Sequence, residues 1–148
     1  MPRPTKLPLG FALLLWAPLA IAQNNLGELL DAGGKLLSEE EFRQELVQRM
    51  LVGPTATGGN IALMYVSNGT VQGNGALSIQ SANMLAELTG EWKIDDSGKV
   101  CTSMRVGGTN GAALPYRCQF WFKHNGKYFL SDSDTDRQAR VLLRTIKQ

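Results

Sequence analysis

Residues 90–130 read GEWKIDDSGKVCTSMRVGGTNGAALPYRCQFWFKHNGKYFL, and this stretch decides the fold. It divides into short runs rich in β-branched and aromatic residues, separated by turns rich in Gly, Asn and Asp. Glu91-Trp92-Lys93-Ile94-Asp95 alternates polar and apolar side chains, the period of a strand with one buried face. Asp95 to Gly98 and Asn125-Gly126 are turn signals, the second of the two-residue hairpin type. Both cysteines of the chain, Cys101 and Cys118, lie within the stretch.

The chain has 148 residues and opens with Arg3 and Lys6 and no acid. A short apolar run follows over 7–20, then Ala20-Ile21-Ala22, a small-x-small cleavage site. Together these predict a secretory signal peptide over 1–22. The run contains Pro8 and Pro18 and falls short of the roughly 20 residues that span a bilayer, so no membrane span is expected after cleavage. Without that leader the 15 basic side chains fall by two and balance the 13 acidic ones. A neutral protein has no overall field to attract nucleic acid, which argues against that class of partner. In an oxidising compartment two cysteines pair most simply as one disulfide, Cys101–Cys118. Opposed across an antiparallel hairpin, they put the turn between Thr109 and Asn110, within a Gly- and Asn-rich tip.

Ahead of the central stretch, Leu26, Leu29 and Leu30 have helical spacing, and Gly33-Gly34 ends that turn. Residues 37–54 predict the principal helix. Ser38 and Glu41 form a capping box, Leu37 and Phe42 a hydrophobic staple, and Gly53-Pro54 a stop. Phe42, Leu46 and Met50 give it an apolar stripe. Strands are predicted over 60–66 and 70–77 around Asn68-Gly69, and over 138–146 at the C-terminus, where a Thr135/Gln138 capping box makes a helix the competing reading. The expected fold is α+β: over 23–148, one N-terminal amphipathic helix packed on a strongly bent antiparallel sheet or partial barrel of six or seven strands, with one disulfide.

In the strand at 115–124, Tyr116, Cys118, Phe120 and Phe122 share a face, read as the core face. The opposite face carries Arg117, Gln119, Trp121 and Lys123, which form the candidate binding surface: a broad apolar plane flanked by hydrogen-bond donors. The alternative is that the Phe42/Leu46/Met50 stripe covers Trp121. The preceding strand is less regular. Val100, Met104 and Val106 oppose Cys101, whose own face carries Ser103 and Arg105, so either a bulge shifts the register or both faces are covered.

No motif for catalysis, a cofactor or a metal stands out. The lone His124 sits beside a turn with no nucleophile motif in the chain. Asp132, Asp134 and Asp136 alternate as in a calcium loop, but Arg137 and Leu143 occupy the positions where an EF-hand needs Gly and Glu.

Leu36-Leu37-Ser38-x-x-Glu41, Gly53-x-Thr55-x-x-Gly58, Gly90-x-Trp92, Gly98-Lys99-Val100-Cys101, and Cys118 followed by Gly126-Lys127-Tyr128 occur in this order. The chain thereby resembles a family of small exported proteobacterial proteins catalogued only as a domain of unknown function. The resemblance implies a periplasmic, disulfide-bonded, β-rich domain and supplies no activity.

The leading expectation is therefore a non-catalytic periplasmic or secreted protein that binds an envelope protein or a cell-wall component through the exposed sheet face at Trp121. A second reading encloses a small apolar ligand in the curved sheet, with Gly73 and Gly75 leaving room at the cavity wall. A third makes the chain a hydrolase using His124 with an acidic partner.

Overall fold

The computed structural model describes residues 23–148 except Thr109, together with Pro2; the expected leader otherwise lies outside the described residues. The chain runs α1 (Leu26–Asp31), β1 (Lys35–Leu36), α2 (Glu39–Glu45), β2 (Met50–Pro54), β3 (Gly58–Tyr65), β4 (Thr70–Ser78), β5 (Ala86–Ile94), β6 (Val100–Val106), β7 (Ala112–Ala113), β8 (Arg117–His124), β9 (Lys127–Ser131) and β10 (Leu142–Ile146). Eight strands, β2 to β6 and β8 to β10, pair antiparallel in sequence order. β8 pairs with β6 past the short β7, and β10 pairs with β2 to close the ring. The fold is thus a closed up-and-down barrel with two small extra strands, not an α+β domain with a bent or partial barrel. Closure leaves the eight barrel strands without a free edge to pair elsewhere.

That correction begins at the principal helix. The capping box forms as expected: Ser38 Oγ accepts from the Glu41 amide at 3.2 Å, and Glu41 Oε2 accepts from the Ser38 amide at 2.8 Å. Yet α2 stops after seven residues, at a C-cap on Leu46, and Gln48 turns the chain with φ of 65°. Met50 to Pro54 then form β2, pairing with β3 on one side and β10 on the other. Two strands' worth of backbone donors and acceptors are satisfied this way, which outweighs one more helical turn. The expected helix end is therefore the strand that closes the barrel.

The turns follow their sequence chemistry. Asn125 and Gly126 both have positive φ, 49° and 71°, as a two-residue hairpin between β8 and β9 requires. The seam between β6 and β8 is short: Val100 pairs with Gln119, Cys101 with Cys118 and Thr102 with Arg117. The Cys101–Cys118 disulfide spans it, with the two Cα atoms 3.9 Å apart. Nearer the tip, Arg105 pairs with Ala113 and Val106 with Ala112. Residues 103–104 therefore face 114–116, a bulge on the β7–β8 side that shifts the register and leaves Tyr116 59% exposed.

Both faces of β8 are buried. Inward, Trp121 joins Leu51, Leu63, Tyr65, Val71, Leu88, Trp92, Val100, Tyr128 and Leu130 in the barrel core, capped by Phe42 and Leu46 of α2. Outward, Phe120 and Phe122 pack with Phe129, Val141 and the Leu26 and Leu29 side chains of α1. The expected solvent face at Trp121 is therefore corrected: Trp121 is 3% exposed and lies inside the barrel. The assumption of one core face per strand fails here because α1 supplies a second apolar layer outside the wall.

Candidate functional site

At one end the barrel is plugged. Phe42 enters from α2 and its ring lies 5.5, 5.7 and 5.4 Å, centroid to centroid, from those of Tyr65, Trp92 and Trp121. Tyr65 also meets Trp92 and Trp121 in edge-on geometry, which suits the quadrupoles of aromatic rings. Trp92 Nε1 donates to the Val66 carbonyl at 2.8 Å, so the buried indole is satisfied. Outside this plug, Glu45 accepts from Lys123 Nζ and Tyr128 Oη, each at 2.7 Å, tying α2 to β8 and β9. The Lys123 hydrogen bond, helped by Tyr128, holds the Glu45 carboxyl below the usual range. Burial and the Glu45 carboxylate push the Tyr128 phenol up to about 12, so it stays a donor at neutral pH.

The other half of the barrel is hollow. A cavity of about 350 Å³ opens at the end remote from α2, between the 55–57 loop and the Leu114-Pro115 bulge. Its wall is apolar, from Ile61, Leu63, Leu77, Met104, Leu130 and Leu142. The polar groups on it are few: Tyr65, Thr102, Arg117, Gln119 and Arg144, with Thr55 and Thr57 at the mouth. Among the described residues no acidic side chain lines it. A mostly apolar concavity with a small set of placed polar groups is the ordinary form of a small-molecule site, and this volume lies at the small end of that class.

Arg144 is the unusual member. It is 5% exposed, and its Nη1 donates to the Pro54 carbonyl at 2.7 Å and the Leu143 carbonyl at 2.8 Å. Gly53 makes room for it: a Cβ there would stand 2.9 Å from Arg144 Nη1 and collide with the Leu143 carbonyl oxygen. Among the described residues no carboxylate pairs with this guanidinium. Burial lowers its pKa and Tyr65 opposes that, but an arginine keeps its charge in a protein. Tyr65 beside it is pushed up to about 12 by burial and so remains a protonated phenol.

The four residues expected to form one surface are divided between two places. Arg117 and Gln119 line the hollow end, where Gln119 Nε2 also donates to Asp132 at 3.0 Å. Trp121 belongs to the plug, and Lys123 is the partner of Glu45. Gly73 and Gly75, expected to leave room at the cavity wall, do not line it; a Cβ at Gly73 would collide with the Ala62 carbonyl, so that glycine lets β3 and β4 close on each other. His124 ends β8 beside the hairpin turn, on a separate surface depression with Glu41 and Glu45. Asp95 clusters with Cys101 and Cys118, but the disulfide consumes both thiols. The alternating aspartates serve their loop: Asp132 takes the Gln119 amide and Asp136 the Gln138 amide. Two further depressions, of about 540 and 490 Å³, lie on the outer wall around Glu91, Ser103 and the 70–72 edge of β4.

Sequence reading missed Tyr65 and Arg144. The signal for Arg144 was its place in Leu142-Leu143-Arg144-Thr145-Ile146: in a strand it shares a face with Leu142 and Ile146, an apolar face that elsewhere joins the core. No helix among the described residues is long and apolar enough to cross a membrane. Comparison with family models, with curated proteins and with solved structures returns no match for this chain.

Proposed function

We propose that this chain is an exported, non-catalytic barrel that binds a small, largely apolar molecule in the hollow half of its interior. The observation that carries this reading is the cavity itself: about 350 Å³ inside a closed eight-strand barrel, open at one end and plugged by Phe42 at the other. Eight strands enclose a space that is either filled by side chains or wide enough for one small ligand. Here the two halves take the two options. The disulfide supports an oxidising compartment, periplasmic or extracellular, and membership of the exported proteobacterial family resembled by the sequence is part of the same proposal.

The test is native mass spectrometry of the protein purified from its own envelope and of the same protein incubated with neutral eight- to ten-carbon alcohols. Binding is expected at one molecule per chain, and Met104→Trp, which fills the cavity, should abolish it. A chain that stays empty under both conditions contradicts the reading.

A further inference from the structure

We infer that the cavity selects a carboxylate: its ligand is a small amphiphile whose apolar body lies against Leu63, Met104 and Leu130 and whose carboxylate is held by the Nε–Nη2 edge of Arg144, with the Tyr65 hydroxyl beside it. This rests on the ligand-binding reading above and adds the chemical class. Three observations lead to it.

The first is an unspent charge. Arg144 is buried and its Nη1 is committed to the carbonyls of Pro54 and Leu143. Carbonyl dipoles satisfy hydrogen bonds but do not neutralise a cation, and a buried charge is costly unless it is paired. Among the described residues, the ion pairs are Arg43–Glu39, Lys123–Glu45 and Arg137–Asp31, none of them in the cavity.

The second is direction. Nε and Nη2 make no hydrogen bond to the described residues, and no side-chain nitrogen or oxygen among them is both sealed and unpartnered. Those two nitrogens therefore border open space, and the space that Arg144 lines is this cavity. The Nε–Nη2 edge presents two parallel N–H groups, the fork that matches a carboxylate in bidentate fashion. Tyr65, also on the cavity wall and 5% exposed, adds a protonated hydroxyl that makes no other hydrogen bond among the described residues.

The third is the sign of the whole chamber. Among the described residues its lining holds two arginines, Arg117 at the mouth and Arg144 inside, and no acid. The acid nearest in the hydrogen-bond network, Asp132, is exposed and engaged by Gln119. An anion entering past Arg117 meets no repulsive charge on the wall, whereas a cation would meet both guanidinium groups.

The experiment compares decanoate with decanol, the same chain with and without the charge, by titration calorimetry on the full chain lacking its leader. The wild type should bind decanoate more than about 10-fold tighter than decanol, as expected for a charge-assisted pair in a largely apolar site. Arg144→Gln should weaken decanoate by about 30-fold and remove its preference over decanol. Tyr65→Phe should weaken decanoate by about 3- to 10-fold and needs no new packing. Equal wild-type affinity for the two probes overturns the carboxylate inference and leaves the apolar-ligand reading standing; binding of neither overturns both. Should Arg144→Gln fail to fold, the wild-type preference and the Tyr65→Phe result still decide the matter.

Discussion

The ring of Phe42 lies 5.4 Å from that of Trp121, a contact between α2, which enters the barrel, and β8 of its wall. Phe42 is 2% exposed and Trp121 3%. Through this pair the N-terminal segment becomes the floor of the barrel, and the interior divides into a packed half and a hollow one.

Removing the Phe42 ring should therefore cost more than an ordinary surface-helix change. Phe42→Ala deletes a fully enclosed aromatic that touches three others, and such truncations cost about 3–5 kcal/mol. Urea unfolding followed by tryptophan fluorescence should give that loss. A change below about 1 kcal/mol would mean that α2 does not plug the barrel in solution.

The disulfide clamps one of the barrel's short seams. Only three pairs join β6 to β8, and the cystine is the middle one. With the cysteines 17 positions apart in sequence, losing the constraint on the unfolded chain alone costs about 3 kcal/mol. The double change Cys101→Ser, Cys118→Ser should show that loss at the urea midpoint. Amide exchange should rise first at Val100–Thr102 and Arg117–Gln119, with the β3–β4 pairing protected longer. Uniform loss of protection across both would contradict a weak seam.

Glu45 gives a pH dependence whose sign is fixed. Its carboxyl is held below its unfolded value, so the stabilisation is present above about pH 4.5 and is lost as pH falls through the folded value. Glu45→Gln should be less stable than wild type by about 1 kcal/mol at pH 7, since the carboxylate is partly solvent-screened, and the difference should shrink towards pH 3.5. Urea midpoints for both proteins across that range test it. A constant gap would assign the effect to packing rather than to the charge on Glu45.

Much of the local structure was legible in the sequence because it is written in short-range chemistry. The Ser38–Glu41 box, the Asn125-Gly126 hairpin and the Cys101–Cys118 pairing each depend on residues that meet across one helical turn or one hairpin. What could not be read depends on distant strands. Met50 continues the four-residue spacing of Phe42 and Leu46 and so looked helical, but it pairs with Met64 of β3 and its carbonyl accepts from the Lys147 amide just past β10, nearly a hundred residues on. Trp121 looked exposed because Arg117, Gln119 and Lys123 share its face. Two of those line a polar-rimmed hollow and the third pairs with Glu45, and a sequence does not distinguish such partners from water. Arg144 was overlooked for the same reason.

Methyl-resolved NMR of the protein titrated with octanol reports whether the hollow half of the barrel holds a ligand. Intermolecular contacts are expected from octanol to the methyl groups of Leu63, Met104, Leu130 and Leu142, saturating at one molecule per chain. Contacts confined to exposed apolar side chains such as Ile79, Met84 and Leu85, with the cavity methyls unmoved, would contradict it.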